Sequence, residues 1–174
     1  MPAPAAPAAG KGRIEGRAAA GAIVMLEPKT PHEFPPPETA AMDQVSRTFS
    51  PPLLIVRTGA AVEFWNSDDT LHNVHVGNTD TGEPAFNVAI PTGEVYRYTF
   101  TKNGLYHVAC DVHPEMTADI VSVSTPFAVQ TGPDGAFVFD DVPPGSYVVR
   151  VIAGGRTSER DADVVSGSNN VRVP

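Results

Sequence analysis

Short stretches in which hydrophobic and polar residues alternate recur along the chain, and 18 prolines and 15 glycines interrupt the pattern between them. The apolar positions are rich in β-branched and aromatic residues, which favour strands over helices. We therefore expect an all-β protein. The predicted strands are Ala22–Leu26, Leu53–Arg57, Ala61–Trp65, Asn73–Val76, Val95–Phe100, Gly104–Cys110, Ala118–Val123, Phe127–Gln130, Ala136–Phe139, Ser146–Ile152 and Val171–Val173.

Turn sequences separate these strands at regular intervals, such as the stretches Asn66–Asp69, Lys102–Gly104 and Pro133–Gly135. Asn, Asp, Gly and Pro favour the backbone conformations that tight turns need. Short strands separated by turns at regular intervals are typical of a β-sandwich. The stretch Lys29–Met42 contains four prolines and is predicted to be a long irregular loop.

The charge balance excludes two classes of partner. The chain has 12 basic and 20 acidic residues, a net charge of −8, which disfavours binding to nucleic acid or to an anionic membrane surface. No apolar run approaches the roughly 20 residues of a membrane-spanning helix. A basic protein is the better candidate partner.

The first residues of the chain are rich in proline and alanine, and we expect residues 1–11 to form a flexible tether. The sequence Ile14–Arg17 also spells a common protease-cleavage linker. Residues 1–17 are therefore either native or a cloning remnant. A native strand is the preferred interpretation.

Four residues have the chemistry and spacing of a mononuclear copper site. His72 lies in L-H-N-V, and Cys110, His113 and Met116 lie in C-D-V-H-P-E-M. Two imidazoles, a thiolate and a weak axial thioether suit a copper ion that alternates between Cu(I) and Cu(II). Three of these residues belong to one short loop, and His72 must come from a distant strand.

The segment from about Phe49 to Val123 resembles the cupredoxins, the small blue copper proteins. The resemblance lies in V-E-F-W-N-S-D-D-T-L-H-N-V-H-V and Y-H-V-A-C-D-V-H-P-E-M. The short loop is most similar to that of amicyanin and of plastocyanin-like proteins associated with methylamine utilisation. The resemblance implies a Greek-key β-sandwich with one type 1 copper ion on His72, Cys110, His113 and, axially, Met116. It also implies that Asn73 links the two ligand-bearing segments by hydrogen bonds.

Other metal chemistry fits the residues less well. Zinc binds Cys and His, but a thioether is a poor zinc ligand and no fourth Cys or His has suitable spacing. His75 lies three residues from His72, and His107 lies three residues from Cys110. Because alternate side chains of a strand point to opposite faces, both histidines are expected not to be ligands. Because the histidine clusters of a catalytic copper are missing, we expect neither an enzyme nor a small-molecule substrate.

The stretch after the copper segment predicts a second β-sheet module. It resembles the carboxypeptidase-regulatory-like, or transthyretin-like, β-sandwich, whose opening strands are similar to residues 12–16 and 22–26. We therefore expect a discontinuous sandwich of residues 12–27 and 125–174, with a cupredoxin domain of residues 28–124 inserted. A contiguous order, with the small sandwich following the cupredoxin domain, is the alternative.

The expected function is that of a type 1 copper protein that shuttles single electrons between redox partners in the periplasm or another exported location. A cytochrome or a membrane-bound complex is the expected partner, and the exposed edge of His113 is the expected electron port. Asp111, Glu115 and Asp119 lie near this port in sequence and either steer a basic partner or only keep the surface soluble.

Two other functions compete with electron shuttling. The first is a structural cupredoxin-fold subunit docked on a larger membrane-bound assembly, with copper incidental or absent. The second is copper storage or delivery, which would favour exposed clusters of Met or Cys that this sequence lacks.

Overall fold

The computed structural model describes residues 10–173, and all regular elements among them are strands, so the prediction of an all-β protein is confirmed. Residues 1–9, most of the predicted tether, lie outside the described residues. The strands are β1 (Gly12–Arg17), β2 (Ile23–Pro28), β3 (Ala40–Val45), β4 (Thr48–Ser50), β5 (Leu53–Arg57), β6 (Ala61–Asn66), β7 (His72–Asn78), β8 (Pro84–Ile90), β9 (Val95–Thr99), β10 (Gly104–Ala109), β11 (Thr117–Val123), β12 (Ala128–Gln130), β13 (Ala136–Val142), β14 (Gly145–Ala153), β15 (Arg156–Val164) and β16 (Gly167–Arg172).

No helix between residues 10 and 173 is long and apolar enough to cross a lipid bilayer.

The chain divides into two compact units. A central unit spans Pro35–Ser124, and a terminal unit combines the chain up to Phe34 with the chain from Thr125 onward. The terminal unit is therefore built from both ends of the chain.

The central unit contains a five-stranded sheet, ordered β5-β11-β10-β7-β8, and a four-stranded sheet, ordered β4-β3-β6-β9. The pairs β3–β6 and β5–β11 are parallel, and the other pairs are antiparallel. Because successive side chains of a strand point to opposite faces, the alternating apolar residues of both sheets meet in one core. Its fully buried members include Met42, Val62, Phe64, Val74, Val76, Phe100, Val108 and Ile120.

The terminal unit contains a three-stranded sheet, ordered β13-β1-β16, and a four-stranded sheet, ordered β12-β2-β14-β15. Strand β1 lies between β13 and β16, and its Ile14 is fully buried. The residues that spell a protease-cleavage linker are thus part of a central strand. The core of this unit includes Ile14, Val24, Leu26, Phe137, Val142, Tyr147 and Val149.

The predicted loop Lys29–Met42 is shorter than expected. Its last three residues belong to β3, which pairs in parallel with β6 and buries Met42 and Gln44. Prolines dominate the first part of the stretch, but they end at Pro37, and the sequence after them can enter a sheet. That part of the loop prediction is therefore wrong.

Candidate metal centre

His72 is the first residue of β7 and is completely buried. Val74 and Val76 follow it at alternate positions and are also completely buried, so all three side chains point into the core. Strand β7 lies between β10 and β8 in the five-stranded sheet. An imidazole is thus held rigidly at the edge of an apolar core.

The connection between β10 and β11 carries the other three predicted residues. Cys110 directly follows β10, and Met116 directly precedes β11. The Met116 N–H donates to the His113 carbonyl at 2.9 Å, and the Cys110 N–H donates to the Met116 carbonyl at 3.1 Å. These bonds close the loop. Because β10 pairs antiparallel with both β11 and β7, the loop lies at the end of the sheet where His72 begins β7.

Three ligand-type atoms form a small triangle at this end. The Nδ1 atoms of His72 and His113 are 3.1 Å apart, and the Cys110 Sγ is 3.9 Å from the first and 3.8 Å from the second. His, Cys, Asp and Glu side chains are the usual metal ligands. Among the described residues, His72, Cys110 and His113 are the one group of three or more such side chains close enough to hold a metal ion. Two atoms bonded to one ion at about 2.0–2.3 Å lie at most about 4.6 Å apart, so the triangle fits a single ion.

Burial differs among the four predicted residues. Cys110 is 2% exposed and Met116 is 1% exposed, and both belong to the core cluster of the central unit. His113 is half-buried. The structure therefore brings all four residues to one end of the sandwich, with His113 nearest to solvent.

The donor set and the fold lead to the family. Residues 38–123 match the sequence model of the copper binding proteins of the plastocyanin/azurin family. These residues are a cupredoxin domain. Copper is the metal that this domain binds, and a set of two imidazoles and one thiolate is consistent with it.

Two solved structures are each similar to about half of the chain. An amicyanin variant in the Cu(I) form is 28% identical over 48% of this chain and 81% of its own, with a TM-score of 0.44. The Cu-containing nitrite reductase (NirK) from Thermus scotoductus SA-01 is 31% identical over 50% of this chain and 23% of its own, with a TM-score of 0.46. No curated protein matches the sequence.

Asp68 contacts one of the predicted ligands, a contact that sequence reasoning missed. Its Oδ2 lies 2.8 Å from the His72 Nε2, on the side of the ring away from the triangle. The pKa of Asp68 lies below its ordinary value, chiefly because the Arg47 N–H donates to the carboxylate, with smaller contributions from His72 and the Ser46 N–H; burial opposes them. In the sequence, Asp68 is only one of several polar residues in a turn.

Asn73 links the two ligand-bearing segments, as the resemblance implied. Its Oδ1 accepts the Asp111 N–H at 2.7 Å, and its Nδ2 donates to the carboxylate of Asp111 at 3.0 Å. Asn87 also donates to that carboxylate at 2.8 Å, and the His75 Nδ1 lies 2.9 Å from it. This network fastens the residue after Cys110 to strands β7 and β8.

The two histidines expected not to be ligands lie outside the triangle. His75 is paired with Asp111, and His107 lies 3.2 Å from Asp119. The side chains of both histidines are about half exposed. Each therefore forms a surface pair with a carboxylate.

The network around Asp111 predicts a pH dependence. The pKa of Asp111 is lowered, first by the hydrogen bond with His75 and then by that with Asn87. A carboxyl group with a depressed folded pKa stabilises the fold above its unfolded pKa, near 3.8 here, and this contribution is lost as pH falls through the folded pKa. The free energy of unfolding of the metal-free protein should therefore exceed that of Asp111→Asn at about pH 5, and the gap should shrink toward about pH 2.

Denaturant unfolding at several pH values measures this gap. Asp69→Asn is the matched control, because Asp69 is exposed and, within residues 10–173, its carboxylate accepts a hydrogen bond from the Thr70 hydroxyl alone. A gap for Asp111→Asn that does not change with pH would show that the carboxylate contributes nothing through its charge.

Proposed function

We propose that the cupredoxin domain is a type 1 copper centre that binds one ion through His72, Cys110, His113 and Met116 and transfers single electrons between redox proteins. The observation that carries the proposal is the triangle of His72, Cys110 and His113, with edges of 3.1–3.9 Å. Copper in such a site supplies a one-electron couple between Cu(II) and Cu(I).

The protein's own contribution is a rigid set of donors. His72 is held by β7, and the loop with Cys110 and His113 is closed by two backbone hydrogen bonds and fastened by Asn73. Because the donors are fixed by packing, they keep one geometry in both oxidation states, which reduces the reorganisation that electron transfer requires. Burial of Cys110 and Met116 excludes water from the sulfur side.

His113 is the proposed entry and exit point for electrons. It is half-buried, and Val112 beside it is 63% exposed, while Leu71 beside His72 is 53% exposed. Exposed apolar side chains at this end would let a redox protein approach the imidazole closely. The exposed acidic residues Asp111 and Glu115 would attract a basic partner, such as a cytochrome, through long-range electrostatics.

The proposal also covers the cellular location of the protein and the role of the terminal unit. We assign the protein to the periplasm or another exported compartment, in keeping with its cupredoxin domain. The terminal unit, built from residues before and after that domain, is proposed to be a carboxypeptidase-regulatory-like sandwich that carries the inserted copper domain or docks it to a redox complex.

The first test of the proposal is the visible spectrum of the purified protein during titration with Cu(II). We expect an intense thiolate-to-copper band near ~600 nm that saturates at one copper ion per chain. The band should be absent in Cys110→Ser and lost or strongly altered in His113→Ala.

His107→Ala is the matched control for the histidine variant, because His107 is exposed and lies outside the triangle. It should keep the full band. The ligand set is wrong if wild-type protein with a free Cys110 thiol binds Cu(II) without the band, or if Cys110→Ser keeps the band. Either result would favour the docked-subunit function.

Electron transfer through the His113 end is tested separately. Val112→Lys should keep the visible band but slow reduction of the copper protein by a reduced basic cytochrome about tenfold, or about 1.4 kcal/mol, because it places a positive charge in an apolar contact with a basic partner. Stopped-flow absorbance measures the second-order rate constant.

Val165→Lys is the matched control for this experiment. Val165 is 61% exposed, close to the 63% of Val112, but belongs to the terminal unit. It should leave the rate unchanged. Equal slowing in both variants would mean that net charge alone matters and would contradict contact at the His113 end.

A further inference from the structure

We propose that Asp68 is a positioning residue of the copper centre, which holds the His72 imidazole with Nδ1 toward the metal and favours Cu(II) over Cu(I) by its negative charge. This inference rests on the ligand set proposed above. It concerns a residue outside that set, which acts only through His72.

The two nitrogens of His72 face different partners. Nδ1 lies 3.1 Å from the His113 Nδ1 and 3.9 Å from the Cys110 Sγ, whereas Nε2 lies 2.8 Å from the Asp68 Oδ2. An ionised carboxylate only accepts hydrogen bonds, so Nε2 carries the proton. An imidazole that binds a metal ion is neutral, and with the proton on Nε2 the ring would bind the ion through Nδ1. A carboxylate in this position fixes both the tautomer and the ring orientation of a metal-binding histidine.

Asp68 is itself held from a separate part of the chain. The Ser46 N–H donates to its Oδ1 at 2.6 Å, and the Arg47 N–H donates to its Oδ2 at 2.9 Å. Ser46 and Arg47 form the turn between β3 and β4, and their φ angles of 52° and 54° are uncommon for residues other than glycine. This turn directs two successive amides at one carboxylate, so the carboxylate cannot follow a moving imidazole.

The position of the charge gives Asp68 an electronic role. The Asp68 side chain is 15% exposed and that of His72 is fully buried, so water screens the carboxylate only weakly. A negative charge one hydrogen bond from a ligand stabilises a doubly charged ion more than a singly charged one. Asp68 should therefore raise the affinity for Cu(II) relative to Cu(I), which lowers the reduction potential.

The test compares Asp68→Asn with Asp69→Asn, because both remove one negative charge from adjacent positions and only Asp68 contacts His72. For Asp68→Asn we expect the affinity for Cu(II) to fall about tenfold relative to that for Cu(I), a rise of about 59 mV in the midpoint potential. Asp69→Asn should stay at the wild-type potential. Voltammetry of the copper-loaded proteins measures both.

A second readout needs no copper. In the metal-free protein, long-range ¹H–¹⁵N spectra should show His72 protonated at Nε2, with a proton that exchanges slowly with water. In Asp68→Asn this proton should shift upfield and exchange faster, because a neutral amide is a weaker acceptor than a carboxylate. In Asp69→Asn it should be unchanged.

The inference is overturned if Asp68→Asn and Asp69→Asn have equal potentials, or if the His72 Nε2 proton is the same in both variants. Failure of the proposed ligand set is a distinct result. It would appear as a wild-type protein without the charge-transfer band, whereas the spectra of the metal-free protein would still report on Asp68.

Discussion

The copper domain depends on the pairing of β10 with two antiparallel neighbours. This pairing brings the loop after β10 to the start of β7 and places two imidazole nitrogens and one sulfur within 3.9 Å of one another. The His72 and Cys110 donors are buried, and a buried polar group is costly unless it has a partner. In the proposed ligand set, a single copper ion would bind all three at once. The sandwich around them therefore serves as a rigid frame for a donor set that would not be stable on a flexible loop.

The parts of this centre that local sequence determines could be predicted. Cys110, His113 and Met116 lie within seven residues, so their proximity needs only one turn, and His72 is marked by its place before an apolar strand. Asp68 could not be predicted, because its contact with His72 depends on amides of the β3–β4 turn, about twenty residues earlier in the chain. Asn87 belongs to the same class, since it reaches Asp111 only across paired strands.

The fold shows the same division between local and long-range information. Strands with buried alternate residues, such as β6 and β10, were predictable from apolar periodicity. Strand β15 was not, because it is an edge strand with the charged sequence RTSERDADV, and polar residues on an edge hide the strand pattern. The assignment of the terminal unit to the carboxypeptidase-regulatory-like class stays a prediction.

The most direct test of the ligand set is anomalous diffraction at the copper absorption edge from crystals of the copper-loaded protein. We expect one copper peak per chain, bonded to the Nδ1 atoms of His72 and His113 and to the Cys110 sulfur, with the Met116 sulfur as the axial neighbour. A peak that lacks the Cys110 sulfur, or copper bound instead at the exposed His75 or His107, would contradict this ligand set.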